Sequence, residues 1–202
     1  MKKTLLTTLA LLLGMMLITG CGQEDSPKEE EPPQKLYPVS INGTEVRVGE
    51  TTVQALLDQG LSVTVSEMDS SNHITTYEID PEEMLEPDSY YSGASITITE
   101  HIFAHVSLAT SDPVRMGDAV IAMLEFYLGG DSEERSAIAL NGVNVNELDQ
   151  EKAEAMFPEF SSYTNYMAGY GPDYEYSLSF SQQDGLLSKF TVKRKYDVDW
   201  SN

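Results

Sequence analysis

The sequence predicts an α+β fold: antiparallel sheets built from β-hairpins, with short helices packed on them, arranged as two small domains. Three observations carry this expectation. Asn42-Gly43 and Asn141-Gly142 each separate two short alternating runs, and Asn-Gly is a strong hairpin signal because both turn positions take positive φ. The C-terminal stretch alternates for many residues on either side of Asp184-Gly185. Between these hairpins lie two short segments read as helices and several strand-like runs.

The elements follow in order. Tyr37-Pro38-Val39-Ser40-Ile41, Asn42-Gly43 and Thr44-Glu45-Val46-Arg47-Val48 form the first hairpin. A helix over 53–59 comes next. Thr52 supplies the capping oxygen, Val53, Leu56 and Leu57 share one face, and Gly60 stops it. Strands are expected at 74–79, 95–99 and 102–108, with a turn at Ser111-Asp112-Pro113. Residues 118–128 fit two periods. Met116, Val120, Met123, Leu124 and Tyr127 make a helical stripe, whereas Val120, Ile121, Phe126 and Tyr127 favour a strand. A strand paired with 102–110 is the expectation. The polar run Gly129–Glu134 is the expected domain boundary, dividing 36–128 from 137–202.

About 99 residues after the first hairpin the pattern recurs. Leu140, Asn141, Gly142, Val145 and Met156 align with Ile41, Asn42, Gly43, Val46 and Leu57, and a second helix is expected over 151–157. Duplication and two uses of a common hairpin-helix solution both fit. At the end, Tyr174, Tyr176, Leu178 and Phe180 alternate with Glu175, Ser177 and Ser179. Phe190 and Val192 then alternate with Lys189, Thr191 and Lys193, which gives a hairpin with one apolar and one polar face.

Ahead of the folded part, Met1-Lys2-Lys3 precedes an apolar run to Ile18, the layout of a secretory signal peptide over 1–20. Leu5–Gly20 is short for a spanning helix, which needs roughly 20 apolar residues. Ile18-Thr19-Gly20-Cys21 resembles the lipobox of bacterial lipoproteins. The resemblance implies a diacylglycerol on the Cys21 thiol, cleavage before Cys21, and a place on the extracytoplasmic face of the cell membrane. Cys21 is the single cysteine, so no internal disulfide is available. Residues 21–35 carry Glu24, Asp25, Glu29, Glu30, Glu31 and three prolines, a composition read as a solvated, disordered acidic tether. The lipobox, the phrase Ile41-Asn42-Gly43 with Thr51-Thr52-Val53-Gln54-Ala55-Leu56-Leu57, and the closing hairpin together resemble lipoproteins of unknown function in Gram-positive bacteria. The second half also resembles small domains with helices packed on an antiparallel sheet, as in envelope-assembly lipoproteins and beta-lactamase-inhibitor-like domains. That likeness concerns fold alone.

The chain carries 33 acidic and 12 basic residues. Without the tether's five acids and Lys2, Lys3, Lys28 and Lys35, the folded part keeps 28 acidic and 8 basic residues, a balance of −20. Such a surface repels phosphate backbones and excludes nucleic acid as an expected partner. The partners expected instead are the membrane, through the acyl chains, and a protein or cell-wall component.

Catalytic motifs are missing. There is no G-x-S-x-G, no Ser-x-x-Lys and no glycine-rich phosphate loop, so no cofactor is expected. His101 and His105 would lie about 13 Å apart on a strand at ~3.3 Å per residue, too far to share a metal. Glu82, Glu83, Glu86 and Asp88 form the densest carboxylate group. They are the candidates for an acid/base pair if the protein is a cell-envelope hydrolase. Tyr163, Tyr166, Tyr170, Tyr174 and Tyr176 fall within 14 residues, interspersed with Gly169, Gly171 and Pro172. Tyrosine offers large, rigid, amphipathic contact area, so a loop carrying Tyr163, Tyr166 and Tyr170 is the candidate recognition surface. The expected function is a non-enzymatic, membrane-anchored binding module, with the hydrolase as alternative.

Overall fold

The computed structural model describes residues 34–87 and 89–196. The signal peptide, Cys21, nearly all of the tether and Asp88 lie outside the described residues. Strands β1 (Val39–Ile41) and β2 (Thr44–Val46) form the first hairpin, and helix α1 (Val53–Asp58) follows. Then come β3 (Val63–Met68), β4 (Ile74–Glu78), β5 (Met84–Leu85), β6 (Ser89–Thr97), β7 (Ile102–Thr110), β8 (Val114–Arg115) and β9 (Val120–Leu128). The remainder is α2 (Ser132–Arg135), β10 (Ile138–Leu140), β11 (Val143–Asn144), α3 (Gln150–Met156), β12 (Ser161–Tyr163), β13 (Tyr166–Tyr170), β14 (Tyr174–Phe180) and β15 (Leu187–Arg194). Antiparallel sheets dominate, and the helices are few and short.

Nine strands form one sheet in the order β12-β13-β14-β15-β9-β7-β6-β3-β4. A four-stranded sheet runs β11-β10-β1-β2, and β5 pairs with β8. The alternation of period two explains the large sheet. Leu124, Phe126, Phe190, Val192, Tyr176 and Leu178 are buried on one face, while Met123, Glu125, Tyr127, Lys189 and Ser177 between them point the other way. Phe126 and Phe190 stack at 4.5 Å in the middle of the core. The small sheet adds Val39, Ile41, Ile138 and Leu140 to that core, and the helices add Val53, Leu56 and Ala153.

The two hairpins pair with each other about a local two-fold. Ser40 faces Ala139 at its centre, with Val39 opposite Leu140 and Ile41 opposite Ile138. The amide of Asn42 donates to the Ala137 carbonyl and that of Asn141 to the Pro38 carbonyl, both at 2.8 Å. All four Asn-Gly turn residues have positive φ, 50° and 82° in the first turn, 48° and 79° in the second. The repeat in the sequence is thus a repeat in position as well.

Several expectations meet the structure directly. Residues 120–128 are a strand beside β7, and Thr52 caps α1 through its hydroxyl. The C-terminal hairpin has the predicted faces, turning where Gly185 takes φ 74°. Two expectations need correction. Gly129–Glu134 does not divide two domains. It runs into α2, whose capping box pairs Asp131 with Glu134, and the described residues fall in one compact unit. The physical reason is that β9, from the first half, hydrogen-bonds to both β7 and β15, so strands of both halves share one sheet. The tyrosine-rich stretch is also no loop. It is the β12-β13 hairpin, turned where Asn165 adopts φ 56°.

Candidate recognition surface

The outward face of the large sheet carries most of the chemistry, and cross-strand register decides what meets there. Residues directly opposite each other in an antiparallel pair share a face. Following the register from strand to strand gives one continuous row: Tyr163, Tyr166, Ser179, Lys189, Tyr127, Phe103 and Thr97. Such a row crosses seven strands, roughly 29 Å at ~4.8 Å per strand. A second row, shifted by two residues, is small and hydroxylated at one end. It runs Ser161, Ala168, Ser177 and Thr191, then Glu125 and His105.

At the centre, Lys189 Nζ lies 2.6 Å from Glu125 Oε1, and the Tyr127 hydroxyl donates to Glu125 Oε2 at 3.0 Å. The same ammonium donates to the Tyr127 hydroxyl oxygen at 3.2 Å. Phe103 stacks on Tyr127 with centroids 5.2 Å apart, and His105 meets both rings edge-on. Partial burial pushes the Glu125 carboxyl upward, but the hydrogen bonds from Lys189 and Tyr127 outweigh it and hold the carboxyl below its usual range. The bond to Glu125 raises Lys189 in turn.

A depressed carboxyl contributes stability above its unfolded pKa, and that stability fades as pH falls through the lowered value. A raised ammonium contributes below its unfolded pKa and loses that as pH rises through the raised value. The pair is therefore intact across neutral pH. Glu125→Gln is expected to destabilise by about 1 kcal/mol or less at pH 7, because the pair is partly screened by solvent. In urea melts the difference from wild type should shrink in strong acid. A difference that is unchanged from pH 7 down to pH 2 would rule out the ion pair as its source.

The three candidate tyrosines all lie on or beside this face. Tyr163 is 60 % exposed and Tyr170 is 72 % exposed, while Tyr166 is half-buried with its ring 6.1 Å from that of Tyr163. Partial burial raises the Tyr166 phenol, as do its hydrogen bond to Tyr170 and the negative charge Tyr170 would carry; a bond to Ser177 opposes this. Ala168 beneath the pair is only 2 % exposed. Tyr174 and Tyr176, in contrast, are core residues; burial pushes the Tyr176 phenol up to about 12.

A cleft of about 160 Å³ opens beside Tyr166 and Tyr170. These two stand on β13, Thr191 and Lys193 on β15, and Glu175 and Ser177 on β14 between them. Sequence reasoning found the tyrosines through their clustering, and it put Lys189 and Lys193 on the polar face of the closing hairpin. It could not place them on opposite sides of one strand. Of the other basic residues there, Lys195 pairs with Glu175 at 3.5 Å and Arg194 donates to the Gly49 carbonyl at 2.9 Å.

The remaining candidates are dispersed. Glu82, Glu83 and Glu86 are exposed, and Arg115 engages Glu82 at 3.2 Å and Asp118 at 2.9 Å. His101 sits against Glu134 at 3.1 Å, while His105 belongs to the central aromatic group, so the two histidines have different surroundings. One structurally important residue went unnoticed in the sequence: Arg135, buried to 9 % exposure. Its guanidinium donates to the carbonyls of Leu128 at 2.9 Å, Val145 at 3.4 Å and Leu187 at 2.6 Å, and to Asn146 Oδ1 at 3.1 Å.

Comparison with protein-family models, with curated proteins and with solved structures finds no match to this chain.

Proposed function

We propose that this protein is a lipoprotein anchored through Cys21 on the extracytoplasmic face of the cell membrane, and that it works as a non-enzymatic recognition module. The observation that carries the recognition reading is the outward sheet face with its row of aromatic side chains, Tyr163, Tyr166, Tyr127 and Phe103, and with Tyr170 beside it. Aromatic side chains exposed together on a rigid sheet give contact area at small entropic cost. The anchor rests on the apolar leader and on Ile18-Thr19-Gly20-Cys21. The fold reads as an α+β arrangement of two like halves, each a hairpin, a short helix and antiparallel strands, merged through one sheet.

The test is crosslinking in cells of the tagged full chain, read by mass spectrometry, beside a variant carrying Tyr163→Ala and Tyr170→Ala. Both side chains are exposed, so their removal leaves the core intact. A protein or wall component captured by the wild type and lost in the variant supports the reading. Identical captures from both would place recognition elsewhere and overturn it.

A further inference from the structure

We propose that the cleft over β14 binds one ring of a neutral saccharide chain. The proposal rests on the reading of the outward face as a recognition surface and names the ligand chemistry for it.

The groups that line the cleft exclude other ligand classes. A peptide strand recognised through its main chain needs unpaired backbone N–H and C=O groups. Here β14 is hydrogen-bonded to β13 on one side and β15 on the other, so its backbone is committed. An anionic polymer would meet the Glu175 carboxylate inside the cleft, on a folded part whose formal balance is −20. A cation would meet the Lys193 ammonium across from it. A purely apolar ligand would strip water from the hydroxyl capacity that the bonds of Tyr166 to Tyr170 and Ser177 leave open, and would not replace it, which is costly. The lining thus balances in charge and is dense in groups that both donate and accept.

A sugar ring matches that set. Its hydroxyls also donate and accept, and its C–H faces pack on aromatic rings. Tyr166 and Tyr170 supply the rings at one wall, and Ser177 and Thr191 supply hydroxyls at the floor and the opposite wall. The Glu175 carboxylate, beside its pairing with Lys195, keeps acceptor capacity, and the Lys193 ammonium has three N–H donors to share. The volume, about 160 Å³, equals that of roughly five waters at ~30 Å³ each, which suits one six-membered ring with its substituents. The cleft is open to solvent, so the rest of a chain can continue across the neighbouring strands, where Lys189 and Tyr127 form the next part of the aromatic row.

The test is titration calorimetry of the detergent-solubilised full chain with three neutral tetrasaccharides: β-1,4-linked N-acetylglucosamine, β-1,4-linked glucose and α-1,4-linked glucose. Poly-glutamate and an unstructured peptide serve as comparison ligands. Binding of at least one tetrasaccharide is expected, weakened about fivefold or more by Tyr170→Ala, the loss of one aromatic contact of about 1 kcal/mol. Ser177→Val, which fills the floor with a residue favoured in strands, should abolish it with the fold intact by circular dichroism. Tyr77→Ala, on the distant strand β4, should change nothing. No binding to any tetrasaccharide overturns the proposal, as does binding that both cleft variants leave unchanged, or tighter binding of poly-glutamate or peptide at the cleft. The crosslinking result separates the two levels. A partner lost with Tyr163→Ala and Tyr170→Ala, alongside no saccharide binding, would sink the saccharide while leaving the recognition face standing.

Discussion

Arg135→Ala is expected to cost the fold about 3–5 kcal/mol, seen as a fall in the urea midpoint at unchanged slope. The guanidinium ties together the end of β9, the turn after β11 and the start of β15 by donating to the Leu128, Val145 and Leu187 carbonyls. Hydrogen bonds to a charged group are worth about 1.5–3 kcal/mol, and buried acceptors left without a donor pay their own desolvation. Burial pulls the Arg135 pKa down, and the Asp184 carboxylate opposes that pull; a guanidinium is not deprotonated in a protein, so its donors stay in place. Arg135→Lys should recover little, because a single ammonium cannot span three carbonyls in a plane as the fork does. Arg135→Met should recover the packing of the stem and none of the hydrogen bonds. A loss below about 1 kcal/mol for Arg135→Ala would mean that the three carbonyls are satisfied in some other way.

Cys21→Ala is expected to move the protein wholly from the membrane fraction to the soluble fraction. On the proposed anchoring, the thiol carries two acyl chains, and each buried methylene contributes about 0.8 kcal/mol. One chain alone holds only marginally, whereas two hold stably, so loss of the acceptor sulfur gives an all-or-none change in partition. The folded part gives no reason for residual attachment, since its balance of −20 repels anionic head groups. The check is fractionation with detergent-free washing. Retention of the variant in the membrane would overturn the anchor while leaving the sheet face untouched.

Much of the fold was legible because local chemistry forced it. Asn42-Gly43 and Asn141-Gly142 accept positive φ with little strain, and the hairpins stand where those pairs stand. Val120, Ile121, Phe126 and Tyr127 outweighed the helical stripe that begins at Met116 because β9 is central, and branched and aromatic side chains pack well there. The Tyr166–Tyr170 stretch was misread because Gly169, Gly171 and Pro172 read as breakers. In the fold Gly169 is a strand residue whose bare Cα admits the Phe160 ring. A Cβ there would sit 2.3 Å from Phe160 Cε1. Arg135 was illegible for a different reason. A charged residue in a polar run reads as solvated, and only the convergence of three chain segments gives it buried carbonyls to serve. The cleft was half legible: clustering gave the tyrosines, but strand order brought Lys193 and Thr191 opposite them.

The place where the chain enters the fold has a mechanical meaning. Gln34 accepts from the amides of Asp173 and Tyr174 at 3.1 and 2.7 Å and donates to the Tyr174 carbonyl at 3.0 Å. It is thereby pinned to the turn joining β13 to β14, the same two strands that carry Tyr166, Tyr170 and Ser177. Under the proposed anchoring, a pull between the membrane and a ligand on those side chains would be borne over a few residues at one corner of the sheet. The stacked Phe126 and Phe190 at its centre would carry almost none of the tension, so the protein could hold a load without its core being strained.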